Sequence, residues 1–314
     1  MAAVTNAYTA ASAIGLREDL TDNIYRVDVE DTPFQSMVGT TKAKAVLHEW
    51  QTRLLGNVNT SNAEPEGDSQ SRSASTPNVR LGNVCQISKK DATTSGTLEA
   101  VDKAGRNSEM ALQMADRAIE LRKDKEAIML SNQAYSNGTP RTLRAFEAWI
   151  RTNASRGVGG ANPADPNVTP GTTATDGTQR TLTETLYLDN LQSIYTNGGN
   201  ARISLMGPSQ KRIASTFVGR VNSKQEIGKA DIQQAATLYA SDFGTMRFMP
   251  HRYLRSSGRT LFNIDPDKVK VAYLRKFVRF PLAKIGDAET RVILSEYTLE
   301  MSNERAHGVV ADLS

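Results

Sequence analysis

Between Arg106 and Asn132 the sequence reads RNSEMALQMADRAIELRKDKEAIMLSN, with no proline or glycine inside it. At the angular step of a helix, Met110, Met114, Ala118, Leu121 and Ile128 share one side, and Leu112, Ala115, Ile119 and Leu130 widen it to about half the circumference. Gln113, Asp116, Glu120 and Asp124 lie opposite. Gly105 before the run and Asn137-Gly138 after it are stop signals. A helix of these 27 residues would be about 40 Å long. A compact chain of 314 residues has a radius of gyration of about 20 Å. One helix therefore crosses most of the molecule, as a spine and not as one member of a layered α/β enzyme. The mixed-sign run Arg122-Lys123-Asp124-Lys125-Glu126 reads as a solvated or interface-facing surface of that helix.

Two segments on either side of the helix are nearly empty of large apolar residues. Gly56 to Arg80 offers only Val58 and Val79, and Arg151 to Arg180 only Val158 and Val168. Neither can offset its own ordering entropy by burial. Loops of this length are uncommon inside compact domains, so ordering against a neighbouring subunit, or a linker role, is expected of them. The whole-chain composition agrees, with 39% apolar and 6% aromatic residues, which implies extended polar parts attached to a real core.

The remaining segments alternate helix and strand, an α+β pattern. Val46 to Leu54 and Val79 to Ile87 read as strands leading into and out of the first polar segment, together a large hairpin. Leu182 to Tyr195 spaces its leucines as a helix closed by Asn197-Gly198-Gly199. Ala201 to Met206 reads as a buried strand, and Pro208 opens a helix through Phe217. Ala236–Ala240, Thr245–Met249, Lys268–Phe280 and Arg291–Met301 complete the strand candidates.

Chemistry is harder to find. His48, His251 and His307 are far apart, with no metal-ligand spacing, and each reads as structural. The lone Cys85, between Val84 and Gln86, reads as a buried inert thiol and excludes an intramolecular disulfide. Gly157-Val158-Gly159-Gly160 fails the dinucleotide pattern, and no phosphate loop or nucleophile elbow occurs. No catalytic, cofactor or metal site is expected. No stretch approaches a membrane span, and the first residues lack the basic start of a secretory signal. Charge is uneven. Residues 1–200 carry 20 basic and 23 acidic side chains, and residues 201–314 carry 18 and 11, so −3 and +7 make the net +4. The balance is too even for a dedicated nucleic-acid binder.

The chain resembles tailed-bacteriophage major capsid proteins. The likeness rests on LREDLTDNIYRVDVEDTPFQSMVG near the start, KAKAVLHEWQT at 42–52, SGTLEAVDKAGRNSEMALQMA at 95–115 and TNGGNARISLMGPSQKRIA at 196–214. It continues through SDFGTMRFMPHRYL, VKVAYLRKF and EYTLEMSNERAHGVVADL. It covers most of the chain, in order, and departs at 151–180 and 219–229. The resemblance implies the tailed-phage capsid fold: an N-terminal arm (1–45), an extended hairpin loop (46–95), and a peripheral domain with the spine helix (96–150). After the polar insertion (151–180) come an axial domain (181–262) and late strands returning to the peripheral domain (263–314). It also implies pentamers and hexamers of a shell around double-stranded DNA, contacted without base specificity, in a virion assembled in the bacterial cytoplasm. The stretch before Arg17 is short for a built-in scaffolding segment, so a separate scaffolding protein is expected, with a portal and in some members a decoration protein.

The candidate contacts between subunits are acidic Glu64, Glu66 and Asp68 in the first polar segment, facing the basic stretch Arg247, Arg252 and Arg255, with Arg259 close by. Two alternatives stand beside the phage shell. One is a cellular nanocompartment shell of the same fold, and the other is an architectural DNA-binding protein using the basic C-terminal third.

Overall fold

The computed structural model describes residues 31–56, 58–63, 66–67, 75–167, 169, 171–217 and 238–314. The chain enters through α1 (Pro33–Met37), where Pro33 occupies the first turn and its missing N–H is no loss. Strands β1 (Gly39–Lys42), β2 (Leu47–Thr52), β3 (Val79–Val84) and β4 (Gln86–Ser95) follow, then α2 (Gly96–Ala100) and the spine helix α3 (Glu109–Met129). Next come α4 (Phe146–Trp149), β5 (Ala154–Ser155), α5 (Glu184–Thr196), β6 (Ile203–Met206) and α6 (Pro208–Ala214). The chain ends with β7 (Leu238–Ser241), β8 (Gly244–Pro250), β9 (Leu261–Ile264), β10 (Val269–Pro281), β11 (Ala288–Met301) and β12 (Gly308–Val310).

α3 has 21 residues and is about 32 Å long, shorter at each end than the sequence pattern suggests. Ser108 sets its start: the extended backbone there stops the helix, and its hydroxyl accepts the Ala111 amide at 3.1 Å. The expected apolar side is buried: Met110, Met114, Ala118 and Leu121 pack on Ala92, Ile293 and Phe277. These belong to β4, β11 and β10, so the helix lies across the first sheet. That sheet runs in the order β1-β10-β11-β4 and is antiparallel except for β1 on β10.

The second sheet has six strands in the order β5-β12-β9-β6-β8-β7. α5 covers it with Tyr187, Leu191 and Ile194, which join Tyr239, Phe248 and Leu261 in one cluster. Thr183 caps α5. A larger core joins the two sheets: Val271, Tyr297 and Leu299 of the first meet Phe262 and Ile264 of the second around Phe34, Phe146 and Trp149. Phe146 stands edge-on to both Phe34 and Phe262, at 5.6 and 5.3 Å between ring centres.

Four expectations change. The strand at 79–87 breaks at Cys85, because β3 pairs with β2 while β4 pairs with β11. Residues 86–95 therefore belong to the first sheet and not to the hairpin. The helix after Pro208 stops at Ala214. The C-terminal residues do not all return to the first sheet: Gly308–Val310 inserts between β5 and β9 of the second. The described part of 151–180 is tied to its own chain by polar contacts, among them Arg156 to Glu147, Asp176 to Arg255, the Gly177 carbonyl to Arg259 and the Arg180 amide to the Asp312 carbonyl.

Candidate functional site

Among the described residues no three His, Cys, Asp or Glu side chains gather as a metal site, and no helix is long and apolar enough to cross a membrane. What the structure builds instead is a set of surfaces and the junctions that aim them.

The first is the two-stranded hairpin β2–β3, which pairs His48 with Asn83 and Trp50 with Leu81. Its root is locked. Asn83 is fully buried, accepts the Arg144 amide at 2.8 Å and donates to the Arg144 and Leu299 carbonyls at 3.0 and 2.9 Å. Trp50 donates its indole N–H to the Met301 carbonyl at 2.9 Å and packs on Trp149. His48 meets Glu300 at 2.9 Å. Beyond Thr52 this anchoring ends: Leu55 and Val58 are 89% and 92% exposed. A groove of about 520 Å³ opens at the root, lined by Gln51, Trp149, Arg151, Asp165 and Glu304 among others.

The second is an arginine–carboxylate junction that pins the polar stretch after Ile150. Arg255 makes a two-pronged bond to Asp176 at 2.7 and 2.6 Å and reaches buried Glu147 at 3.1 Å. Arg156 also meets Glu147, at 3.0 Å. Arg259 forks onto Asp312, which is fully buried and accepts the Gly157 amide at 3.0 Å. The Arg180 amide donates to the Asp312 carbonyl at 2.7 Å. Hydrogen bonds from Arg255 hold the Asp176 carboxyl below its ordinary range. Burial pushes the Asp312 carboxyl up, but Arg259 and the Gly157 and Gly177 amides outweigh it and lower it overall. The glycines permit the close approach: a Cβ on Gly157 would collide with the Thr178 carbonyl oxygen.

This junction decides where two of the candidate arginines point. Arg255, and Arg259 with it, is engaged within the chain. Arg247 on β8 and Arg252 just after it are exposed, without an ion-pair partner among the described residues. On the acidic side Glu66 is exposed. Glu64 and Asp68 lie outside the described residues.

The third feature was hidden in the charged run of α3. Lys125 and Glu126 are fully buried and not solvated. Lys125 sits among Tyr273, Phe277 and Tyr297, 4.4 to 4.9 Å from the ring centres, and donates to the Tyr273 hydroxyl at 3.0 Å. Burial, with Arg122 and Lys276 nearby, pulls its pKa down to about 7 against the pull of Glu126. Glu126 accepts the Phe34 and Gln35 amides at 2.6 and 3.0 Å, the Gln35 side chain at 3.0 Å and His251 at 3.0 Å. Helical spacing did carry a signal, since 118, 121 and 125 continue one face; the charge of the side chain argued the other way.

The profile of the SU10 major capsid protein family matches residues 3–314. The major capsid protein of Escherichia phage Phieco32 is 25% identical over 320 residues, covering 90% of each chain. Among solved structures, the capsid of a native GTA particle superposes with a TM-score of 0.66 at 11% identity, over 99% of this chain and 100% of the other. A chain of Microbacterium phage Oxtober96 gives 0.63 at 9% identity, over 98% and 99%. A chain of Gordonia phage Cozz gives 0.60 at 12%, over 99% and 98%. These structural likenesses establish the fold.

Proposed function

The chain belongs to the SU10 major capsid protein family, and from that premise we propose that its copies assemble as pentamers and hexamers into the shell around the double-stranded DNA of a tailed phage. The observation that carries this reading is the hairpin: a root fixed by buried hydrogen bonds, and beyond it apolar Leu54, Leu55 and Val58 that the described chain leaves uncovered. A rigid root followed by exposed Leu54, Leu55 and Val58 and a long polar segment suits a lever that lies over an adjacent subunit. In this reading residues 1–45 are the arm, and the first sheet with α3 forms the periphery. The six-stranded sheet with α5 points at the local symmetry axis. The role calls for interfaces and no reacting group, so catalysis forms no part of it. A separate scaffolding protein, a portal and a decoration protein are the partners expected, and DNA is contacted through few phosphates.

Electron microscopy of the full-length protein, alone and with a scaffolding protein, tests this. Closed shells with scaffold, and capsomers or aberrant particles without it, are expected. A strictly monomeric species at high concentration with scaffold present refutes it. Exposed Arg247 and Arg252 are proposed to meet acidic side chains of neighbours such as Glu64, Glu66 and Asp68. Arg252→Glu should impair assembly, and Glu66→Arg should partly restore it. Intact assembly with altered DNA retention would make Arg252 an inward DNA contact instead.

A further inference from the structure

Three separate parts of the molecule converge on the Glu126 side chain. It belongs to the last turns of the spine helix. Its Oε1 faces the Phe34 amide and His251 Nε2, and its Oε2 faces the Gln35 amide and side chain. Phe34 and Gln35 lie in α1, through which residues 1–30 join the chain. His251 directly follows β8, and its own amide donates to the Met206 carbonyl at the end of β6 at 2.8 Å, so it is built into the second sheet. Glu126, Phe34 and His251 are all buried.

The proton arrangement is readable. The Tyr253 amide donates to His251 Nδ1 at 3.1 Å, so that nitrogen carries no hydrogen. The ring proton is therefore on Nε2 and is donated to Glu126. All four contacts of the carboxylate are then with donors, which requires its ionised form. Removing an arm leaves a buried acceptor short of a partner; of the donors, the Gln35 side chain also reaches the Arg122 carbonyl, at 2.8 Å.

We infer that Glu126 is a clasp through which the seating of α1 on the spine and the seating of the second sheet on the spine are coupled, so that loosening one loosens the other. The other charged and titratable groups around it are Arg122 and Lys125 on the same helix, Tyr273 on β10, and Arg252 and Tyr253 beside the ring. Of these, Lys125 is already held by the Tyr273 hydroxyl. The clasp is a property of the single chain and does not rest on the shell reading.

Hydrogen exchange on the unassembled full-length protein tests it. His251→Ala should speed exchange of the Phe34 and Gln35 amides by about tenfold, although His251 is hydrogen-bonded to Glu126 and to neither of them. His251→Gln, whose amide can donate in place of Nε2, should restore most of that protection. Unchanged exchange at Phe34 and Gln35 in His251→Ala, with loosening confined to β8, would overturn the coupling. Should His251→Ala not fold by circular dichroism, the near-isosteric Glu126→Gln serves. It should speed exchange at both 33–38 and 251–254, and loosening at only one end overturns the proposal.

Discussion

Replacing Asp312 by alanine removes the carboxylate on which the second polar segment is hung. The side chain is fully buried. One oxygen accepts Arg259 Nε and Nη2 at 3.2 and 2.9 Å, and the other accepts the Gly157 amide at 3.0 Å. Three charge-assisted bonds at about 1.5–3 kcal/mol each would sum to about 5–9 kcal/mol. Such sums overshoot, because the bonds share one group and are not independent. Arg259 also keeps the Gly177 carbonyl at 2.9 Å, lies 3.9 Å from Asp176 and is 19% exposed, so its charge is not stranded. The expected loss is therefore about 3–5 kcal/mol, the range for a buried pair deprived of one member. Asp312→Asn, which keeps a carbonyl acceptor, should lose less. Urea unfolding of the unassembled protein gives the magnitude, and hydrogen exchange over 157–167 and 171–180 gives the place. A loss below about 1 kcal/mol, or full protection of that segment in Asp312→Ala, would show that something other than this junction orders it.

Four further outcomes are expected. Ala118→Pro, at a buried mid-spine position, should cost about 3 kcal/mol or more by removing a helix hydrogen bond and clashing with the preceding turn; normal shells under the electron microscope would contradict the spine's role. Burial lowers the His307 pKa to about 4, so the unfolded chain takes up a proton near pH 6.5 while the folded chain does not; stability should decline as pH falls from about 6.5 toward 4. The depressed carboxyls of Asp176 and Asp312 extend that loss below about pH 3.9, since their contribution is present above the unfolded pKa and disappears through the folded one. Denaturation midpoints across this range check both, and a flat profile between the two upper values would exclude the His307 contribution. The Cys85 thiol, pushed up to about 11 mainly by burial, should resist a thiol reagent near pH 8 in the native protein and react on unfolding.

What the sequence determined by itself is local or repetitive. The spine was visible because Met110, Met114, Ala118 and Leu121 recur at a helical period, and the hairpin because two apolar runs bracket a segment that cannot bury itself. The linked motifs from the opening acidic stretch to the C-terminal AHGVVADL pointed to the family, and the family profile spans the same residues. Tertiary structure alone decided which charges are buried and with whom. Lys125 and Glu126 looked like solvated helix surface because a charge is buried only when partners enclose it, and those partners, Tyr273 and His251, lie over a hundred residues away. Arg255 and Arg259 looked available to a neighbour because their carboxylates, Asp176 and Asp312, are distant in sequence. The second polar segment lacked apolar residues and so seemed unable to order itself. Its described residues are held by ion pairs, some of them buried, and by backbone amides, whose strength depends on distance and exclusion of water, and neither is written in the order of the residues.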